Sequence, residues 1–130
     1  MTTSPVLSAE QLVNLLRTTI VALVRQDRVD LSARQFAVFL TCYLDNGPHT
    51  VSGLAQELKI AKPAVTRALA HLGKLDYVRR KIDPSDRRSV LVQRTVKGAA
   101  FLRETRHIMD NALSAQTIEG SASGRRAVAA

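Results

Sequence analysis

The sequence predicts a mainly α (α+β) fold, in which five helices accompany one small β-hairpin. Apolar side chains recur at a helical period in five segments, whereas strand character appears in two short runs, "YVRRKI" and "VLVQRT". A chain of 130 residues has the length of one ordinary domain. We predict an N-terminal arm over residues 1–7, one folded domain over 8–116, and a disordered tail over 117–130, which is rich in Gly, Ser and Ala.

Three helices are predicted before residue 60. Ser8 and Ser32 each stand three residues before a glutamine, which is the arrangement of a capping box, and each precedes a helical run of apolar side chains. The pair Asn46-Gly47 ends the second helix. Thr50 then caps a helix of about two turns, "VSGLAQELK".

A fourth helix begins at Lys62-Pro63, because proline is tolerated in the first turn, where its missing N–H costs nothing. Its inward face is formed by Val65, Ala68, Leu69, Leu72 and Leu75. Two helices joined by three or four residues indicate a helix-turn-helix, and small side chains on the outer face let the second helix enter a major groove. The candidate DNA-contacting residues of this recognition helix are Lys62, Pro63, Ala64, Thr66, Arg67, His71 and Lys74.

The two strand-like runs form a β-hairpin around "DPSDRRS", where Asp83-Pro84 starts the turn. A hairpin directly after a helix-turn-helix is a wing, so the DNA-binding core spans about residues 48–95 of a winged helix-turn-helix. Thr95 then caps the last helix. The candidate DNA-contacting residues of the wing are Arg79, Arg80, Lys81, Asp86, Arg87 and Arg88, of which the first three face phosphates at its base.

Two of these assignments have a simpler alternative. Arg67 is the best candidate for a bidentate contact to guanine, and the alternative is a solvated helix face. In the wing, Arg87 and Arg88 either reach DNA or form salt bridges with Asp83 or Asp86 that only shape the loop. We favour Arg87 at the tip and Arg88 braced by Asp86.

The positive charge is concentrated in the middle of the chain. Thirteen basic and four acidic residues lie between Lys59 and Arg106, a net charge of +9 in a chain whose total is +8. A basic region on an otherwise balanced domain favours a polyanionic partner, and nucleic acid is the commonest one.

The segment from about Ser32 to about Ala100 resembles the MarR-type winged-helix transcription regulators. That family carries an Asp-x-x-Asp-Arg-Arg signature in the hairpin and a Thr-x-x-Gly start in the next helix, which are matched here by Asp83, Asp86, Arg87, Arg88, Thr95 and Gly98. The resemblance implies a homodimer, closed by N-terminal and C-terminal dimerisation helices, that binds near-palindromic double-stranded DNA. It also implies recognition helices in major grooves, wing arginines in the minor groove, and action as a repressor.

Three features depart from the family pattern. Ala61 replaces the usual serine cap of the recognition helix, at a cost of about 1 kcal/mol. Asp76 replaces the usual terminal glycine, which requires this aspartate to adopt a left-handed conformation. The predicted order stops near Gln116, so the dimer interface is expected to be reduced or differently built.

Candidate ligand sites are few. The resemblance implies a small aromatic effector near Phe36, Tyr43 and Phe101, although these residues are equally well explained as core. Cys42 is either a redox switch or, as we favour, a buried apolar residue. The three histidines have no chelating spacing, so we predict no metal site and no bound cofactor.

Other classes of protein are less well supported. No nucleophile with a nearby base indicates an enzyme, and the alternative function is a winged-helix protein-interaction module without sequence-specific DNA binding. No apolar run is long enough for a membrane helix and no signal peptide is visible, so we expect a cytoplasmic protein without membrane contact. The terminal Ala129-Ala130 resembles signals read by bacterial energy-dependent proteases, although an inert tail is the simpler interpretation.

Overall fold

A computed structural model describes the backbone of residues 6–27 and 29–129, with side chains described as far as Gln116. The fold is mainly helical with one small antiparallel sheet, as the sequence predicts. The elements are α1 (Ala9–Arg25), α2 (Ala33–Leu44), β1 (His49–Thr50), α3 (Val51–Leu58), α4 (Lys62–Lys74), β2 (Val78–Asp83), β3 (Asp86–Arg94) and α5 (Val96–Ala129). In the part of the chain searched, no helix combines the length and the apolar character needed to cross a bilayer.

The three predicted helix caps before residue 60 are confirmed. In α1 and α2 the capping box is complete, since the serine accepts from the glutamine N–H and the glutamine side chain accepts from the serine N–H. The bond from the Ser8 N–H to Gln11 is 2.8 Å and that from the Ser32 N–H to Gln35 is 2.9 Å. Thr50 caps α3 by accepting from the Gly53 N–H at 2.9 Å.

The sheet has three strands in the order β1-β3-β2, one more than the sequence predicts. The additional strand β1 pairs His49 with Val92 and Thr50 with Leu91. A strand of two residues has no alternation that could be recognised in the sequence, and only its partner β3 defines it. This pairing places the start of α3 beside the wing.

Three helices are followed by a left-handed residue that is not glycine, the first being Asp27 with φ 50° after α1. Lys59 has φ 55° after α3, and Asp76 has φ 59° after α4. At the end of α4 the Tyr77 N–H donates to the Leu72 carbonyl at 2.9 Å and the Asp76 N–H donates to the Gly73 carbonyl at 3.0 Å. This bond pair is a Schellman motif, so Asp76 adopts the conformation that its position requires.

The chain divides into two compact units, Leu31–Arg103 and a second unit made of α1 with the part of α5 from Glu104 onward. The Leu31–Arg103 unit contains the helix-turn-helix and the wing around a core in which Phe39, Leu54, Val65, Leu69 and Leu72 have no exposed surface. The buried residues of α4 recur at the spacing of one helix face, which is why this helix packs with one side inward.

The second unit exposes several apolar side chains of α1. Leu12, Leu16, Ile20 and Val24 follow one another at intervals of four residues and are 48–66% exposed. Within this unit, the Gln116 side chain donates to the Gln11 carbonyl at 2.9 Å, which joins α5 to the start of α1. An apolar stripe of this length on a surface helix is typical of an interaction face.

The backbone of α5 continues as a helix to Ala129, where the sequence predicts a disordered tail from Thr117. Extending an existing helix needs one hydrogen bond for each residue ordered and no new nucleus, so alanines after a stable helix favour continuation. The side chains of residues 117–129 and all of Ala130 lie outside the described structure. The predicted protease signal at Ala129-Ala130 therefore stays a prediction.

Candidate nucleic-acid interface

The recognition helix α4 begins without a side-chain cap. Its N-cap is Ala61, whose carbonyl accepts from the Ala64 N–H at 2.9 Å and from the Val65 N–H at 3.2 Å. Pro63 lies in the first turn, where it removes a donor that would otherwise need a partner. Because the Ala64 and Val65 N–H groups are already bonded, the first turn of α4 offers at most the Lys62 N–H to an anion.

Most residues predicted for the outer face of α4 are exposed. Lys62, Pro63, Thr66, Arg67 and Lys74 are exposed, and His71 is half-buried. One stripe along the helix is formed by Pro63, Thr66, Arg67 and Lys74, which follow one another at intervals of three, one and seven residues. No hydrogen bond or ion pair is found for Arg67 among the described residues, so its guanidinium remains available to a ligand.

The prediction that Ala64 faces outward is wrong. Ala64 is only 8% exposed and lies one turn before the buried Ala68 on the inward face. Ala64 stands four residues before Ala68 and eight before Leu72, so it continues a row of the inward face that the apolar pattern already contains.

The wing is a regular hairpin at its base and irregular at its tip. Pairing runs from Val78–Arg94 to Ile82–Val90 without interruption, and then Asp83 pairs with Asp86. The shift leaves residues 87–89 of β3 without opposite partners on β2. A bulge of this kind redirects side chains at the end of a hairpin, and here it carries Arg87 and Arg88, both exposed.

The aspartates of the wing bind its backbone. The Asp83 carboxylate accepts from the Ser85 N–H at 2.9 Å and from the Ser85 hydroxyl at 2.7 Å, and these bonds lower the pKa of Asp83. The Asp86 carboxylate accepts from the Arg88 N–H at 3.0 Å. The predicted brace is therefore wrong in its atoms, because Asp86 holds the main chain of Arg88, an Asx-type turn contact. Both guanidinium groups are left without a carboxylate partner among the described residues.

The base of the wing carries three further cations on strand β2. Arg79, Arg80 and Lys81 are all exposed, since β2 is an edge strand. Consecutive strand residues point to opposite faces, so Arg80 cannot face the same row of phosphates as its two neighbours. Arg79 also lies 3.6 Å from the Asp76 carboxylate.

A groove joins the recognition helix to the wing. It has a volume of about 520 Å³ and is lined by Ala70, Gly73, Lys74, Val78, Arg79 and Arg80. The three cations come from the end of α4 and from β2, so the positive surface is continuous between the two predicted DNA-contacting elements.

Arg94 is a structural residue that the sequence analysis missed. Its Nε donates to the Cys42 carbonyl at 2.8 Å and its Nη2 donates to the Asp45 carbonyl at 3.1 Å, at the C-terminal end of α2. A cation at this end also interacts favourably with the helix dipole. Because the bonded residues are 49 and 52 positions apart, no local pattern could have shown the contact.

The Thr-x-x-Gly start of α5 has a specific steric reason. The Thr95 hydroxyl accepts from the Gly98 N–H at 2.9 Å and donates to the Asp76 carbonyl at 2.6 Å. A Cβ at Gly98 would overlap the hydroxyl of Tyr43 and the carbonyl oxygen of Tyr77. Glycine is therefore needed here because other groups approach closely.

The residues of the predicted effector site lie in an aromatic cluster. Phe39 stacks on Tyr43 with ring centroids 4.5 Å apart, and Phe101 stacks on Tyr77 at 4.6 Å. Phe36 is 6.3 Å from Phe101 at the edge of this cluster. Tyr43 and Phe101 are buried, so they serve as core, and the effector role stays a prediction.

Cys42 is 2% exposed, and burial raises the pKa of its thiol to about 11. A thiol that stays protonated at neutral pH is a poor nucleophile, which agrees with the prediction of a buried apolar residue. Among the residues searched, no cluster of His, Cys, Asp and Glu could hold a metal ion.

The fold and this surface define a winged helix-turn-helix. Residues 31–90, which include the helix-turn-helix and most of the wing, match the sequence model of the MarR family. The predicted resemblance to this family is confirmed over these residues.

Solved structures share the fold over most of the chain. The transcriptional regulator Tm0710 from Thermotoga maritima has a TM-score of 0.71 at 23% identity, covering 92% of this chain and 84% of its own. The S. aureus MepR–DNA complex has a TM-score of 0.68 at 16% identity, with 93% and 97% covered. A MarR transcriptional regulator from Methanosarcina mazei Go1 has a TM-score of 0.60 at 27% identity, with 79% and 74% covered. In sequence, none of the curated proteins matches.

Proposed function

We propose that the protein is a sequence-specific regulator of transcription that binds double-stranded DNA. In this proposal α4 reads base edges in the major groove, and the wing places Arg87 or Arg88 in the adjacent minor groove. The observation that carries the proposal is the exposed stripe of α4 around Arg67, which shares one compact unit with the wing. Within the described part of the chain, the arginines at the tip of this wing have no carboxylate partner.

The charge distribution supports this assignment. The wing's own aspartates bind the Ser85 and Arg88 main chain, so among the described residues they do not hold the tip guanidinium groups in ion pairs. Cations left free in this way release counterions from phosphates, which supplies most of the affinity of non-specific DNA binding. The groove beside Lys74 continues this surface from the helix to the wing.

The protein is further proposed to act as a homodimer. The exposed stripe on α1, Leu12, Leu16, Ile20 and Val24, offers an apolar face to a second copy. The S. aureus MepR structure is a complex with DNA, and MarR-family members pair two copies on near-palindromic sites. Two recognition helices about 34 Å apart would read half-sites one helical turn apart, and an occupied promoter would be closed to polymerase, which makes the protein a repressor.

The test is a mobility shift on a duplex selected by the unmodified chain from a random pool. Arg67→Ala should weaken binding to this duplex about tenfold or more, because one bidentate base contact contributes roughly 1–3 kcal/mol of discrimination. The same substitution should weaken binding to a scrambled duplex much less. A duplex holding one half-site should bind more weakly than the full site.

The matched control is Arg34→Ala, which removes the same charge from an exposed position at the start of α2. It should change binding by less than about twofold, since a charge far from DNA acts only through a screened field. Equal losses on the selected and scrambled duplexes would exclude base reading by Arg67. No binding at low salt by the unmodified chain would overturn the function and favour a protein-interaction module.

A further inference from the structure

The Tyr43 hydroxyl binds the main chain on both sides of the wing. It donates to the Tyr77 carbonyl at 2.7 Å and accepts from the Thr95 N–H at 3.0 Å. Tyr77 immediately precedes β2, and Thr95 immediately follows β3. The chain therefore enters and leaves the wing through two residues that are bonded to a single oxygen atom of α2.

This oxygen belongs to a rigid part of the unit. Tyr43 is 8% exposed, and its ring stacks on Phe39, which has no exposed surface. Both hydrogen bonds join the wing to α2, and α2 also packs against α4. α2 therefore contacts both the wing and the recognition helix, in addition to the direct packing of β2 against α4.

Two other contacts act at the same place. Arg94 at the end of β3 donates to two carbonyls of α2, as described above. The Thr95 hydroxyl donates to the carbonyl of Asp76, which follows the last turn of α4. At the tip, by contrast, the hydrogen bonds found for Asp83 and Asp86 among the described residues stay within their own loop.

We propose that Tyr43 is a positioning residue that holds the wing at a fixed angle to α4, so that both elements contact DNA together. This inference rests on the proposed function. The six residues of β2 span about 20 Å at roughly 3.3 Å per residue. A tilt of about 10° at the base would move Arg87 by about 3.5 Å over that length, which is more than the length of a hydrogen bond.

The experiment is a double-mutant cycle between Tyr43→Phe and Arg87→Ala/Arg88→Ala, measured by DNA affinity at several salt concentrations. Tyr43→Phe keeps the ring and removes only the hydroxyl. It should weaken binding to the selected duplex about tenfold and reduce the salt slope by about one to two phosphate contacts. In the background that lacks the tip arginines, the same change should have less than about a twofold effect, because the positioned contacts are already gone.

The matched control is Cys42→Ala, the neighbouring buried residue of α2, which loses side-chain packing but keeps the main-chain carbonyl that accepts from Arg94. It should lower thermal stability and leave the salt slope unchanged. If Tyr43→Phe does not fold, Arg94→Met provides the second test, since it removes another contact between the wing and α2 from an exposed position. It should show the same dependence on Arg87 and Arg88.

Three results would overturn the inference. The first is an unchanged DNA affinity in Tyr43→Phe. The second is a loss of DNA affinity in Tyr43→Phe that is equally large with and without the tip arginines. An effect of Arg94→Met that persists without those arginines would also contradict it. Failure of the unmodified chain to bind DNA at low salt is a separate outcome, which removes the proposed function itself.

Discussion

Thr95→Ala is expected to destabilise the protein by about 2 kcal/mol. The Thr95 hydroxyl accepts the Gly98 N–H at 2.9 Å, and loss of a helix cap costs about 1 kcal/mol. The same hydroxyl donates to the Asp76 carbonyl at 2.6 Å, and loss of that bond at a part-buried site costs about 1 kcal/mol more. The backbone bond between the Thr95 N–H and Tyr43 is retained, so the substitution isolates the side chain.

The assay is urea unfolding, with Thr50→Ala as the matched control. Thr50 also caps a helix, but its hydroxyl makes only the cap bond to Gly53, so its loss should cost about 1 kcal/mol. Thr95→Ser keeps both bonds and should stay within about 0.5 kcal/mol of the unmodified protein. Equal losses for the two alanine variants would refute a stabilising role for the bond to Asp76.

Two further predictions concern close packing. Gly98→Ala should lower the free energy of urea unfolding by about 2–3 kcal/mol, because its Cβ would overlap Tyr43 and the backbone of Tyr77. Gly73→Ala meets nothing nearer than 3.9 Å and should raise that free energy by about 0.5–1 kcal/mol. Similar changes for the two variants would contradict close packing at Gly98. The Cys42 thiol should resist a thiol reagent at pH 8 until the protein unfolds. Burial raises the pKa of this thiol from 9.0 to about 11, so the folded state keeps the proton more tightly than the unfolded state does. The free energy of unfolding should therefore be constant below about pH 9 and should fall as the pH rises toward 11. A free energy of unfolding that does not change across that range would be inconsistent with burial.

The helices and the hairpin could be predicted from the sequence because their signals are local. The capping boxes at Ser8 and Ser32 join residues three positions apart, and the bonds are formed as predicted. The left-handed conformation of Asp76 was also required by its place after α4. Such signals depend on backbone geometry within one turn and need no knowledge of the rest of the fold.

The candidate site was only partly predictable. The exposed positions of α4 follow from helical periodicity, and so does the burial of Ala64, which stands four residues before Ala68, although its small side chain led us to place it on the outer face. In the wing, the pattern of opposed charges predicted a salt bridge, whereas the Asp86 carboxylate binds the Arg88 main chain. A short carboxylate reaches a backbone N–H two residues away more easily than a flexible guanidinium can be held in one place.

The sequence by itself determined where the five helices begin, where the two strands of the wing lie, and where the positive charge is concentrated. Only the tertiary structure decided how the wing is attached. The Tyr43 hydroxyl meets Tyr77 and Thr95 across 34 and 52 residues, and Arg94 meets the end of α2 across a similar distance. Contacts between residues so far apart arise when α2 packs against the wing, and no periodic or capping signal in the chain records them.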